Sequence, residues 1–189
     1  MGHYSDPEEC QGLSHLMEHM LFAGSQNYCD GNFLNQLLNN HNGFVNAWTS
    51  SESCNVHFDC QVNQFSQALD VLIDMLTQPI LSMDGISQEI DAIDAEFSMR
   101  KLDDVRRLYD VHKQTCNPNH PFSRFSVGNK TIFTQFTKAE LQQKLRQHHQ
   151  HYFSAKKIKA CFVLPHTIAN VEFITFIESK LITFKSSNI

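Results

Sequence analysis

The pentapeptide His15-Leu16-Met17-Glu18-His19 constrains the fold of this chain more than any other segment. On a helix of 3.6 residues per turn, His15 and His19 lie one turn apart and Glu18 lies three positions after His15, so the three side chains project to one side. Two neutral imidazoles in that arrangement can bind one metal ion. Glu18 is placed beside such an ion, where a carboxylate serves as a proton acceptor.

The segment from Cys10 to Gly24 predicts a buried helix, because apolar residues recur at nearly every other position and Gly24 is suited to its C-terminal end. Three ionisable groups on a buried helix are costly to desolvate unless a metal or mutual hydrogen bonds compensate them. The chain contains 11 histidines among 189 residues, so the motif can also arise by chance. Other segments must therefore decide whether it binds a metal.

A third ligand is predicted on a second helix. From residue 82 to about residue 117 the sequence predicts one long helix. Its apolar stripe recurs at helical spacing, at Ile86, Ile90, Ile93 and Phe97. Glu89 and Glu96 lie two turns apart at the edge of this stripe, where Glu96 is a candidate ligand and Glu89 a candidate support for the metal or the substrate. From helical position alone, both glutamates are better explained as ordinary solvated residues at the boundary of the stripe.

Both segments resemble the insulinase/pitrilysin family of inverzincin metallopeptidases. Asp6-Pro7 followed by Gln11 to Ser25 is similar to the family's zinc-site segment, with the ligand order H-x-x-E-H. The stretch from Gln88 to Phe97 is similar to the family's second acidic segment. Two separate segments that match at the correct separation are stronger evidence for the resemblance than either segment is alone.

The resemblance implies a set of roles at the site. One Zn²⁺ per chain is held by His15, His19 and Glu96, Glu18 is the general base, and Glu89 assists catalysis. Mn²⁺ or Co²⁺ also suits a site of two histidines and one glutamate.

The substrate site follows from a further resemblance. The stretch Gly43 to Ser50 is similar to the family's edge strand, which pairs with the backbone of an extended peptide, and Asn46 and Ala47 carry that role. The stretch from residue 117 to residue 130 is similar to the loop that follows the ligand helix in the family. The expected partner is therefore a peptide substrate.

The resemblance also implies how the chain is organised. Family members form a chamber from homologous domains, so we expect a homologous domain or subunit to complete the chamber. The family domain places strands before the motif, whereas only 14 residues precede His15 here. We expect residues 1–189 to form a single catalytic-type domain whose leading strands are missing.

The remaining patterns predict an α+β fold, an antiparallel-rich sheet with helices packed on one face. Polar and apolar residues alternate from Asn55 to Val62, which predicts a half-buried strand. A second strand is predicted from Lys159 to Leu164. Helices are predicted over residues 30–40, from residue 63 to Pro79, from Thr137 with a capping box to Glu140 through about Tyr152, and from Thr167 onward.

A second group of histidines lies near the end of the helix that begins at Thr137. It consists of His148, His149 and His151. Clustered imidazoles on such a helix are usually solvated, which is what we expect here. A second metal site is the alternative.

Composition excludes several classes of function. The formal net charge is −5, and the chain has no basic stripe, so we expect no nucleic-acid partner. It has neither a membrane-spanning apolar run nor a secretory signal ahead of the motif, so we expect a soluble protein without a membrane partner. The six cysteines are scattered, which favours reduced thiols and the cytoplasm over the periplasm.

Two functional hypotheses remain. In the first, the chain is a zinc-dependent endopeptidase module that hydrolyses short unfolded peptides. In the second, it is a non-catalytic zinc- or peptide-binding fragment that acts only as part of a larger assembly. The presence of Glu18 favours the first hypothesis, because a site that only binds does not need a general base. The missing strands favour the second.

Overall fold

The computed structural model describes residues 1–165 and 171–182. Two strands and eight helices are ordered along these residues as follows: α1 (Leu13–Leu21), α2 (Phe33–Asn39), β1 (Phe44–Thr49), β2 (Cys54–Asp59), α3 (Phe65–Thr77), α4 (Met83–Arg100), α5 (Asp104–Thr115), α6 (Lys130–Phe133), α7 (Lys138–Tyr152) and α8 (Val171–Leu181). The α+β class is confirmed. None of the described helices is long and apolar enough to cross a lipid bilayer.

Strands β1 and β2 form an antiparallel pair. The register runs from Phe44 opposite Asp59 to Thr49 opposite Cys54. Helices α1 and α2 pack against β1, while Phe44 and Trp48 remain about half exposed on the other face. The pair therefore has one covered and one open face, as alternation of polar and apolar residues predicts.

The main hydrophobic core surrounds α1, which packs between α4 and α7. Leu16, Met17 and Met20 of α1 are fully buried, together with Ile86 and Ile93 of α4 and Leu141 and Leu145 of α7. Burying each such side chain contributes about 1.5–3 kcal/mol. A second cluster joins α2 and α3 to the inner face of the strands. The motif helix is therefore held inside the main hydrophobic core.

The single long helix predicted from residue 82 is wrong, because the structure contains two helices there. Helix α4 ends at Arg100, and α5 begins after Asp103, whose carboxylate accepts a hydrogen bond from the Arg106 amide at 2.9 Å. An aspartate in this position satisfies an amide that the first turn of a helix leaves free, and so it starts a new helix. The predicted apolar stripe itself is confirmed, with Ile86, Ile90 and Ile93 buried.

The predicted strand from Lys159 to Leu164 is also wrong, since these residues adopt no regular secondary structure. Phe162 packs against the cluster of Leu69 and Ile73, but the segment is separated from β2 by a cleft. A strand needs a neighbour within hydrogen-bonding distance. A helix is also predicted from Thr167 onward. Residues 167–170 lie outside the residues that the structure describes, and the residues that follow them form α8.

The helix predicted from Thr137 is confirmed together with its capping box. The Thr137 hydroxyl accepts from the Glu140 amide at 3.2 Å, and the Glu140 carboxylate accepts from the Thr137 amide at 2.7 Å. The expectation that the neighbouring histidines are solvated is wrong for His148, which is 6% exposed, and for His149, whose Nε2 donates to the Leu76 carbonyl at 2.8 Å. Leu141, Leu145 and His148 share the buried face of α7 at helical spacing.

Candidate metal centre

The start of α1 is fixed by one buried carboxylate. Asp6 accepts hydrogen bonds from the amides of Gly12 and Ser14, both at 2.8 Å. Gly12 has a φ of +94°, which a residue with a side chain adopts only with strain. Its backbone lies against that of Gly128, where a Cβ on Gly12 would be 2.3 Å from the Gly128 Cα. This contact brings the loop around Gly128 beside the first turn of α1.

The two motif histidines are oriented through their Nδ1 atoms. His15 Nδ1 donates to the carbonyl of Val127 at 2.7 Å, and His19 Nδ1 donates to Glu89 Oε2 at 2.8 Å. A carbonyl and a carboxylate are acceptors, so in each neutral ring the proton lies on Nδ1 and the lone pair lies on Nε2. Carboxylates and backbone carbonyls commonly orient the histidines of metal sites in this way.

Glu96 of α4 faces both Nε2 atoms. Its Oε2 lies 3.9 Å from Nε2 of His15 and 3.9 Å from Nε2 of His19. These distances are too long for hydrogen bonds, so the carboxylate and the imidazoles do not satisfy one another. The other oxygen of Glu96, Oε1, forms an ion pair with Nη1 of Arg100 one turn later on the same helix.

The three side chains fit a divalent metal ion. One ligand atom from each of His15, His19 and Glu96 lies within 4.8 Å of the others, and no other such group occurs among the residues that the structure describes. Tetrahedral zinc, with bonds of about 2.0–2.2 Å, places its ligand atoms about 3.3–3.5 Å apart, slightly closer than they are here. Two imidazoles and one carboxylate are also the ligand set that zinc uses when a fourth position stays open.

Glu18 lies beside this group and is bound by a hydroxyl. Thr49 Oγ1 at the end of β1 donates to Glu18 Oε2 at 2.5 Å, and Glu18 is 9% exposed. The thiol of Cys54 lies nearby, and burial together with the negative charge of Glu18 raises the pKa of Cys54 to about 11. Cys54 therefore stays protonated at neutral pH.

A cleft of about 300 Å³ opens next to His19. It is lined by Glu18, His19 and Glu89 on one side and by Val45, Asn46 and Ala47 of β1 on the other. The amide of Ala47 donates to the side chain of its own neighbour Asn46 at 2.9 Å. The residues predicted to bind an extended peptide thus border the candidate metal centre.

Three groups at the site were not identified from the sequence. They are the Val127 carbonyl, the Thr49 hydroxyl and the Arg100 guanidinium. Arg100 follows Glu96 by four residues, a helical spacing that indicates an ion pair. Thr49 lies within the predicted edge strand and ends β1, but no pattern links it to Glu18. The Val127 contact is made by the backbone, so no residue type signals it.

Comparisons with known proteins agree with this geometry. Residues 1–123 match the family model described as insulinase, peptidase family M16. Insulin-degrading enzyme of Mus musculus and of Homo sapiens are each 36% identical to the chain over 164 residues, which cover 85% of it and 16% of the relative. Protease 3 of Escherichia coli is 34% identical over 160 residues, which cover 85% of the chain and 17% of the relative.

A solved structure matches as well. The crystal structure of pitrilysin superimposes with a TM-score of 0.84 at 30% identity, over 98% of this chain and 20% of that chain. The chain thus spans less than a fifth of the length of the curated relatives it matches. The family resemblance inferred from the two acidic segments is confirmed.

Proposed function

This chain belongs to the insulinase family of peptidases, peptidase family M16, and we propose that it is a zinc-dependent endopeptidase module that hydrolyses peptide bonds in short unfolded peptides. One observation carries the proposal. Nε2 of His15 and Nε2 of His19 each lie 3.9 Å from Glu96 Oε2, and both Nδ1 atoms are occupied by acceptors. This arrangement leaves three lone-pair donors directed at one position.

In this proposal His15, His19 and Glu96 hold the zinc ion. Bound there, the ion would supply Lewis-acid polarisation of a carbonyl and a water molecule of lowered pKa. Glu89 keeps the lone pair of His19 on Nε2, and Arg100 occupies Glu96 Oε1 so that Oε2 faces the histidines. These contacts act on the ligands, so Glu89 and Arg100 are positioning residues.

Glu18 is the general base in the proposed reaction. It takes the proton from the attacking water and passes it to the leaving amine. The Thr49 hydroxyl at 2.5 Å fixes the direction of the carboxylate, and burial keeps bulk water away from it. An extended peptide lies along β1 beside Asn46 and Ala47. To bind it, the Ala47 amide must exchange its hydrogen bond with the Asn46 side chain for a hydrogen bond with the substrate.

The organisation of the chain is part of the same proposal. Residues 1–189 act as one catalytic-type domain, and a homologous domain or subunit completes the substrate chamber. The large share of each relative that lies outside the match, more than four fifths of Protease 3, supports a partner region of this kind.

Peptide hydrolysis tests the proposal. We expect the chain to cleave an internally quenched unfolded peptide, to lose that activity with a chelator and to regain it with added zinc. Glu18→Gln should lower kcat by about a hundredfold or more while zinc stays bound, because only the proton acceptor is removed. Full activity of Glu18→Gln would refute the role of Glu18. Zinc binding without hydrolysis in the unaltered chain would favour a fragment that only binds.

A further inference from the structure

A second pocket borders the candidate metal centre and shares no lining residue with the β1 cleft. Its volume is about 190 Å³, and it lies between the end of α4, the start of α5 and residues 125–127. Arg100, which pairs with Glu96, and Val127, whose carbonyl holds His15, both line it. The pocket therefore shares two wall residues with the candidate metal centre.

The lining of this pocket is strongly basic. It contains Arg100, Lys101, Arg106 and Arg107 but one acidic residue, Asp110, in a chain whose formal net charge is −5. Arg100 pairs with Glu96 and Arg107 pairs with Asp104. Lys101 and Arg106 form no ion pair with any residue that the structure describes. Two cations thus remain available to an anionic ligand.

A buried lysine lies directly behind the wall. Lys113 is 2% exposed, and its Nζ donates to Ser126 Oγ at 3.1 Å and lies 5.6 Å from the centre of the Tyr109 ring. Ser126 and Tyr109 both line the pocket. Among residues 1–165 and 171–182, no carboxylate lies within 4 Å of this ammonium. Burial lowers the pKa of Lys113, and the negative charge of Asp110 offsets this effect only in part.

The size of the pocket suits one side chain. Phe97 and Phe125 line it and pack edge to face, with their ring centroids 5.4 Å apart. An aliphatic stem can pack on these rings while its carboxylate meets the cations at the rim. The volume is below the roughly 300–1,000 Å³ of sites for whole small molecules.

The position of the pocket relates it to a bound peptide. Arg100 and Val127 line the pocket and also contact Glu96 and His15, so a peptide whose scissile bond lies over the candidate metal centre has its flanking residues beside the pocket. An extended chain advances about 3.3 Å per residue, so we expect the side chain that enters the pocket to belong to a close neighbour of the scissile bond.

We propose that this pocket is a specificity subsite that binds an aspartate or glutamate side chain of the peptide substrate next to the scissile bond. The proposal rests on the peptidase function proposed above. Arg106 and Lys101 bind the carboxylate at the rim, while Lys113 adds positive potential from behind Ser126 and Tyr109.

Binding and cleavage of a peptide series test the proposal. The peptides are acetylated and amidated decamers with one glutamate, glutamine or lysine at each position in turn, so that the scanned side chain is the only variable charge. Binding to the zinc-loaded Glu18→Gln variant is measured by fluorescence anisotropy, and cleavage by the unaltered chain is measured in parallel. We expect glutamate at one position to bind about fivefold more tightly than glutamine and to lose this advantage in high salt.

Charge reversal identifies the side chains responsible. Arg106→Glu, made in the Glu18→Gln background, should remove most of the preference for glutamate over glutamine, because the added carboxylate offsets Lys101 at the rim. Because a glutamate in the first turn of α5 is favourable to the helix, this variant should fold. Arg146→Glu makes the same charge change on the exposed face of α7 and should leave the preference unchanged.

The outcomes separate the two proposals. Equal binding of glutamate and glutamine peptides, or no peptide binding, would overturn the subsite. A glutamate preference that survives Arg106→Glu would overturn it too. Binding that prefers glutamate without cleavage by the unaltered chain would support the subsite and refute the peptidase function. Cleavage without any charge preference would support the peptidase function and refute the subsite.

Discussion

At the residue scale, the partners of the Nδ1 atoms decide which atoms the motif histidines present to a metal. His15 is held by a backbone carbonyl and His19 by the Glu89 carboxylate. The carboxylate also fixes the orientation of the His19 ring. Glu89 contacts His19, so in the proposed reaction its role is to orient this ring.

Removing the charge of Glu89 tests this role. We expect Glu89→Gln to weaken zinc binding by about tenfold, because the His19 Nδ1 proton then faces a neutral acceptor. Zinc affinity is measured by competition with a chromophoric chelator. Asp91→Asn is the matched control, since it neutralises an exposed carboxylate on the same helix that pairs with Lys130. Equal affinity of Glu89→Gln and the unaltered chain would show that the hydrogen bond does not tune the ligand.

At the scale of elements, the site depends on how closely the loop around Gly128 approaches α1. Gly12 and Gly128 lie back to back, and the Val127 carbonyl beside them orients His15. Any atom added between the two backbones must separate the loop from the helix.

Gly12→Ala tests the importance of this approach. A Cβ there would lie 2.3 Å from the Gly128 Cα, and the φ of +94° adds strain of about 1–2 kcal/mol. We expect zinc affinity to fall about tenfold or more as the Val127 carbonyl leaves His15, as measured by the same chelator competition.

The control for this variant is another glycine. Gly85→Ala places a Cβ 2.9 Å from Ser82 Oγ, a side-chain atom that can rotate away. It should bind zinc like the unaltered chain. Unchanged affinity in Gly12→Ala would mean that the loop does not position His15.

Sequence patterns predicted the elements whose signals are local. The stripe at Ile86, Ile90 and Ile93 located α4, and Thr137 with Glu140 located α7. The break at Asp103 was missed because the helical pattern continued beyond it, although an N-cap aspartate signals a new start. The pattern at Lys159 to Leu164 suited a strand but contained no information on whether a neighbouring strand is present.

The candidate metal centre was likewise predicted only in part from the sequence. The helical spacing of His15, Glu18 and His19 was readable from the chain, and the family resemblance singled out Glu96. The contacts with Val127 and Thr49 were not readable, because they join segments that are distant in sequence through a backbone atom and a common hydroxyl. Long-range contacts of this kind depend on the packing of α1 against its neighbours.

At the scale of the whole molecule, buried histidines make folding sensitive to acid. His148 Nε2 donates to Ser14 Oγ at 3.0 Å, and the Ser14 hydroxyl donates to the Gly2 carbonyl. Burial, with the N-terminal ammonium, His151 and His149 nearby, lowers the pKa of His148 to about 4. Burial lowers the pKa of His3 to about 4 as well.

These pKa values predict the direction of the pH dependence. A histidine whose pKa falls from 6.5 to about 4 on folding adds stability above pH 6.5 that is lost as the pH falls towards 4. For His148 the loss amounts to about 3 kcal/mol. Asp6 acts in the opposite direction, because burial raises its pKa to about 6. A comparison with a His148 variant cancels the contribution of Asp6.

Urea unfolding of the metal-free chain measures the effect. Between pH 7 and pH 4, the free energy of unfolding should fall by about 3 kcal/mol more in the unaltered chain than in His148→Gln, whose amide can still donate to Ser14. His112→Gln, at an exposed position, should follow the unaltered chain. Parallel curves for His148→Gln and the unaltered chain would show that His148 does not titrate on unfolding.

The most direct test of the candidate metal centre is the zinc content of the purified chain. It is measured by elemental analysis after incubation with zinc and removal of the excess. His15, His19 and Glu96 should hold about one zinc per chain, and Glu96→Gln should hold much less, because it replaces the anionic ligand with a neutral amide. Absence of zinc from the unaltered chain, or equal zinc in Glu96→Gln, would contradict a metal centre formed by these three residues.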